Sequence, residues 1–217
     1  GMTDHYAGPA LYCSSQMICD QNLSPLPLQS STTNTPTFGN AIVQSIAAGN
    51  TIVLNRAAID IINATDHSGI HFHDWWAYQI ITAVGGKIIY DTSSKVFYRQ
   101  HRTNQIGAAC GLKGKIRRLF RLTTHHQAKV IADHVAALDK NKHLFTPNAR
   151  KQLFAWQAIH NLPARKRRRA LKNAGIFRQS NSGHLAFEMA VMAGLFTPKI
   201  NVREMPLATY KVVSTNS

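Results

Sequence analysis

The chain changes character at Lys113, and no single regular architecture accommodates both sides of that change. Before it, short β-branched and apolar runs alternate with stretches of helical period; after it the period is helical throughout. Charge divides at the same place. Residues 113–217 hold 20 Lys and Arg against 4 Asp and Glu, a net +16, whereas residues 1–112 hold 5 against 6, a net −1. The excess of +15 therefore belongs wholly to the second half. A chain polarised in this way is expected to present two parts to different partners. The reading is an α/β unit over residues 1–111, followed by a basic, all-helical extension over 112–217.

A hydrophobic content of 44% in 217 residues is enough for a packed core. No apolar run approaches the length of a membrane-spanning helix, and the start lacks the pattern of a signal peptide. Cys13, Cys19 and Cys110 are odd in number and show no metal spacing. That combination points to a reducing compartment and to cysteines used as small hydrophobes.

The elements follow from period and punctuation. Leu11–Cys13 and Gln16–Cys19 read as two short strands closed by Asp20-Gln21-Asn22, and residues 24–37 as a Pro/Ser/Thr-rich loop. Phe38, Ile42 and Ile46 predict a helix stopped by Gly49. Thr51–Leu54 predicts a strand, and Asn55 the cap of a helix carrying Ile59 and Ile62. His73–Val84 predicts a helix with Ala77, Tyr78, Ile81 and Val84 inward, ended by Gly85-Gly86. Ile88–Tyr90 and Lys95–Arg99 predict strands joined by a turn over Asp91–Ser94. In the second half, apolar stripes run through Ile116, Leu119, Phe120 and Leu122, and through Val130, Ile131, Val135 and Leu138. Further helices are predicted over Asn148–His160, from Arg165, and over His184–Phe196.

The chemistry concentrates at His73-Asp74-Trp75-Trp76. A carboxylate beside two indoles, at a helix start, serves either as a helix cap in front of core tryptophans or as a general base beside aromatic platforms. His73 has two readings as well, a hydrogen-bonding partner or an exposed helix-start residue. His71-x-His73 lacks a third ligand at helical spacing and is a weak metal pattern.

Three blocks in order, Gly49-Asn50-Thr51…Asn55-Arg56, His73-Asp74-Trp75-Trp76 and Tyr98-Arg99-Gln100-His101-x-x-Asn104-x-x-Gly107-Ala108, resemble the family two glycosyltransferases. The likeness is to bacterial enzymes of O-antigen and capsular polysaccharide synthesis, rhamnosyltransferases among them, and it spans Ala10 to Ala108. It implies the acceptor-side half of a GT-A-type sheet with flanking helices. It implies that Asp74 is the catalytic base, that His73, Trp75, Trp76, Gly49 and Thr51 bind the acceptor, and that Arg99, Gln100 and His101 approach the donor phosphates, His101 as a metal ligand. It also implies a nucleotide-sugar donor, a lipid-linked glycan acceptor, and a divalent Mg or Mn ion in the intact enzyme. The family's donor half ends in Asp-x-Asp, and no Asp-x-Asp occurs here. The resemblance therefore implies that this chain alone binds no metal and is inactive without a donor-binding half. An open sheet edge left by that half implies a homo-oligomer.

Arg165-Lys166-Arg167-Arg168-Arg169 is read first as a contact to an anionic membrane surface, then as a solvated helix face, and last as a nucleic-acid patch, since aromatic residues do not interleave it. With the resemblance, this places the protein in the cytoplasm, peripheral on the inner face of the plasma membrane. The rival functions are a basic helical nucleic-acid-binding protein and a non-catalytic acceptor-binding or assembly module.

Overall fold

Strand β1, Ala10–Cys19, is the centre of a three-stranded mixed sheet of order β2-β1-β3. The computed structural model describes residues 6–26, 34–99 and 125–196. β2, Val53–Leu54, pairs antiparallel with Leu11 and Tyr12, and β3, Lys87–Arg99, runs parallel to β1 along its length. Both β1 and β3 are single strands where two short ones were expected. The turn-forming Asp91–Ser94 does make a local turn, with Ser93 N–H donating to Asp91 Oδ1 at 2.8 Å. The chain then resumes pairing with the same neighbour. The register passes from Ser14–Asp91 to Gln16–Val96, so the turn is absorbed as a bulge.

The first helix, α1, is Phe38–Ala41 and ends well short of Gly49. The cause is tertiary. The Ala41 carbonyl, which would accept the next helical bond, is taken by Trp75 Nε1 at 2.7 Å and Gln79 Nε2 at 3.2 Å. The Val43 carbonyl is taken by Arg178 Nη1 at 2.9 Å. Phe38 and Ile42 remain in the core although the helix does not continue. Gly49–Thr51 is a turn of 3₁₀ helix rather than a helix stop.

Helix α2, Arg56–Asn63, is capped by Asn55 as predicted. The Asn55 Oδ1 atom accepts from Ala58 N at 3.0 Å and also from Ala10 N at 3.0 Å, which ties the helix start to β1. Helix α3, His73–Ala83, is buried from Trp75 through Ile81, and Gly85 supplies the left-handed residue after it, at φ 79°.

In the second half, α4 is His125–Lys140, with Val130, Ile131, Val135 and Leu138 buried along the predicted stripe. Helix α5, Pro147–Ile159, is capped by Thr146; α6, Ala164–Ala174, ends at left-handed Gly175. Helix α7, Asn181–Met192, starts three residues before the prediction because Ser180 caps it by accepting from Gly183 N. The stripe through Ile116–Leu122 and Cys110 lie outside the described residues.

One hydrophobic core runs from Leu11 to Phe196. The boundary at 111/112 lies outside the described residues, and the elements on either side of it share that core. Phe38 and Phe145 meet edge to face at 5.6 Å. Asn40 Nδ2 donates to the Phe177 carbonyl at 3.0 Å. At Gly39 a Cβ would stand 2.1 Å from the Gly175 carbonyl oxygen, so only glycine lets α1 meet the end of α6. The α/β class is as expected. Among the described residues no helix is long and apolar enough to cross a membrane.

Candidate functional site

The 3₁₀ turn Gly49–Thr51 and the first turn of α3 face one another across Asp74. The carboxylate is half-buried. Its Oδ2 accepts from Gly49 N at 3.2 Å and its Oδ1 accepts from Trp75 N at 2.7 Å. The helix cap is Phe72, which makes no side-chain cap bond, so Asp74 is a first-turn residue and not the cap. An acidic group there complements the helix dipole, worth about 0.3–1 kcal/mol. Both carboxylate oxygens are held by backbone donors, and one side of the group remains open to solvent.

Gly49 and Asn50 are exposed beside it, and Asn50 Oδ1 accepts from Gln16 Nε2 of β1. A Cβ at Gly49 would make only ordinary contact with Asp74, at 3.6 Å, so crowding does not require glycine there. Thr51 was expected at the acceptor. It is buried, and its hydroxyl donates to the Ala48 carbonyl at 2.9 Å, which closes the turn from within. His73 is exposed at the first position of α3.

Trp75 and Trp76 were expected to flank a sugar. Both are core residues, 6% and 2% exposed. Trp75 Nε1 donates to the Ala41 carbonyl and Trp76 Nε1 to Thr65 Oγ1 at 3.1 Å. The Trp75 ring lies against His134, with centroids 4.8 Å apart. Neither indole has a free face. Phe72, the residue before α3, is 40% exposed and was passed over by the motif-based reading. Its signal in the sequence was position alone, two residues before the carboxylate.

A buried polar chain supports the start of α3. His134 is fully buried. Its Nε2 accepts from His71 N at 3.1 Å, so the ring proton sits on Nδ1 and is donated to Gln79 Oε1 at 2.8 Å. Burial, and then the charge of His71, push its pKa down to about 4. His71 Nε2 lies 2.7 Å from Asp133 Oδ2, which also accepts from Lys129 at 2.6 Å. His71 is thus engaged by α4 rather than aligned with His73.

Arg99 ends β3, paired in register with Cys19, and is exposed; Gln100 and His101 lie outside the described residues. The basic run divides by role. Arg167 was expected at a membrane. It points inward, with Nε donating to the Leu162 carbonyl at 2.9 Å, Nη2 to His160 at 3.1 Å and Nη1 to Val191 at 3.0 Å. Arg168 pairs with Glu188 at 3.1 Å. Arg165, Lys166 and Arg169 are exposed.

Among the described residues no group of three or more His, Cys, Asp or Glu could hold a metal. His101, the metal ligand that the resemblance implies, lies outside the described residues. A concavity of about 420 Å³ lies elsewhere, bounded by Thr37, Thr82, Gly85, Asn148, Gln152 and Gly175. It contains none of the candidate residues. Its Thr82 hydroxyl is bonded to the Tyr78 carbonyl at 2.7 Å and its Gln152 amide to the Ala174 carbonyl at 3.0 Å.

Compared with known families, curated proteins and solved structures, the chain finds no match in any of the three.

Proposed function

We propose that the chain is the acceptor-side part of an inverting glycosyltransferase of the GT-A, family two type, acting on a nucleotide-sugar donor and a lipid-linked glycan. The observation that carries the reading is the setting of Asp74. It is a half-exposed carboxylate, oriented by the Gly49 and Trp75 N–H groups, with Gly49 and Asn50 exposed on the facing turn and Phe72 and His73 exposed just before it in the chain. A carboxylate in that setting accepts a hydrogen bond from an incoming hydroxyl. In the transfer step the acceptor oxygen bonds to the anomeric carbon, the bond from that carbon to the nucleoside diphosphate breaks, and Asp74 takes the hydroxyl proton. Trp75 and Trp76 take no part beyond packing the helix that presents Asp74. No step is assigned to a metal.

Titration of the ¹⁵N-labelled chain with a methyl 6-deoxyhexoside tests the site. Shifts are expected at the Gly49, Asn50, Phe72 and His73 amides, and the two buried indole N–H signals should stay in place. Shifts centred on other residues, or none at millimolar sugar, overturn the assignment.

A further inference from the structure

We infer that α6 and α7 together form a docking surface for an anionic lipid bilayer. This does not rest on the sugar-transfer reading, and its test uses no sugar. Leu171, Ala174 and Arg167 mark the inner side of α6. Opposite them, Arg165, Arg168, Arg169 and Lys172 recur at i, i+3, i+4 and i+7, one exposed cationic stripe. Helix α6 contains no Asp or Glu. The acid of α7, Glu188, is 7% exposed and joined to Arg168 Nε at 3.1 Å. It also lies 3.5 Å from His184 Nε2. Apart from Glu188 against Arg168, no carboxylate of these two helices offsets the stripe, which leaves Arg165, Arg169 and Lys172.

The clasp fixes what lies beside the stripe. Glu188 is three residues from Leu185 and next to Met189, so the pair sets the cations along the flank of the outward side of α7. Leu185 and Met189 stand one turn apart there, 55% and 59% exposed. An α7 that packed only against its own core would gain nothing from two large apolar side chains in water. Cations beside apolar side chains match the two layers of a bilayer surface, anionic headgroups above acyl chains. The phosphates of a nucleic acid would engage the stripe and leave Leu185 and Met189 without a partner.

Flotation with vesicles of phosphatidylcholine, with and without 30% phosphatidylglycerol, tests the surface. The chain should bind the anionic vesicles and not the neutral ones. Arg165→Gln/Arg169→Gln should lower partitioning about 30-fold at low salt, and less at high salt. Arg150→Gln/Lys151→Gln removes the same charge from exposed positions on α5 and should have little effect. Leu185→Ser/Met189→Ser keeps every charge and should lower partitioning about tenfold. These side chains are exposed, and circular dichroism confirms that each variant is folded. Equal binding to neutral and anionic vesicles, equal loss from the two charge variants, or full binding by the Ser variant overturns the proposal. A charge variant that loses duplex DNA while the Ser variant keeps its vesicle binding assigns the stripe to nucleic acid instead.

Discussion

At the scale of single residues, buried histidines decide how this fold responds to acid. His134 is neutral in the folded state because its Nε2 receives the His71 N–H; a second proton would replace that bond with an unsatisfied donor in the core. Its folded pKa of about 4 lies below the ordinary 6.5. The stability it contributes is therefore complete above pH 6.5 and is lost as pH falls toward 4. His160 follows the same sign, held at about 4 by burial and then by Arg167. Stability should be lower at pH 4.5 than at pH 7.5 by at least about 2 kcal/mol in denaturant titrations, and His134→Gln should remove the share of His134 and leave that of His160. A stability independent of pH across that window would contradict the assigned protonation. Asp74 and His73 were legible as candidates because polar residues at a helix start are prominent in the sequence. Trp75 and Trp76 stood between core packing and an acceptor platform because the sequence shows an indole but not what covers it. Their burial depends on Ala41, Thr65 and His134, which lie far away in the chain.

At the scale of elements, caps and glycines mark most boundaries. Asn55 caps α2 as predicted, while Thr146 and Gly175, which the sequence reading did not single out, bound α5 and α6. The failures come where a distant side chain competes for a backbone group. Helix α1 stops where Trp75 and Gln79 take the Ala41 carbonyl and Arg178 takes that of Val43, and the pairing of β3 with β1 outlasts the turn at Asp91–Ser94. The basic run is a third case, since five adjacent cations look alike in sequence. In the fold, Arg167 joins the end of α5 and the end of α7 by bonds to His160 and Val191. Arg167→Gln should therefore destabilise the protein by about 2–3 kcal/mol by leaving those carbonyls without a charged donor. Arg165→Gln should change stability by less than about 0.5 kcal/mol. Paired urea melts read the difference, and equal midpoints would show that Arg167 is only a surface cation.

At the scale of the whole molecule, the change of period and charge at Lys113 does not divide the core. Phe38 packs on Phe145, Arg178 holds Val43, and His134 of α4 braces the start of α3. The helical half thus fixes the segment that carries Asp74. That dependence was not readable from a sequence whose two halves differ so sharply in composition. In the proposed reaction this shared framework presents Asp74 as a base. The most direct measurement is sugar transfer to a lipid-linked acceptor by the chain joined to a donor-binding half, with Asp74 and with Asp74→Asn. The amide keeps one acceptor oxygen for Gly49 or Trp75, so the variant should fold with a loss of about 1 kcal/mol. Turnover should fall by about 10²- to 10⁴-fold, with the acceptor KM changed by only a few-fold. Turnover within a few-fold of the parent, in a folded Asp74→Asn protein, would contradict the account and leave Asp74 as a first-turn acid in front of two core tryptophans.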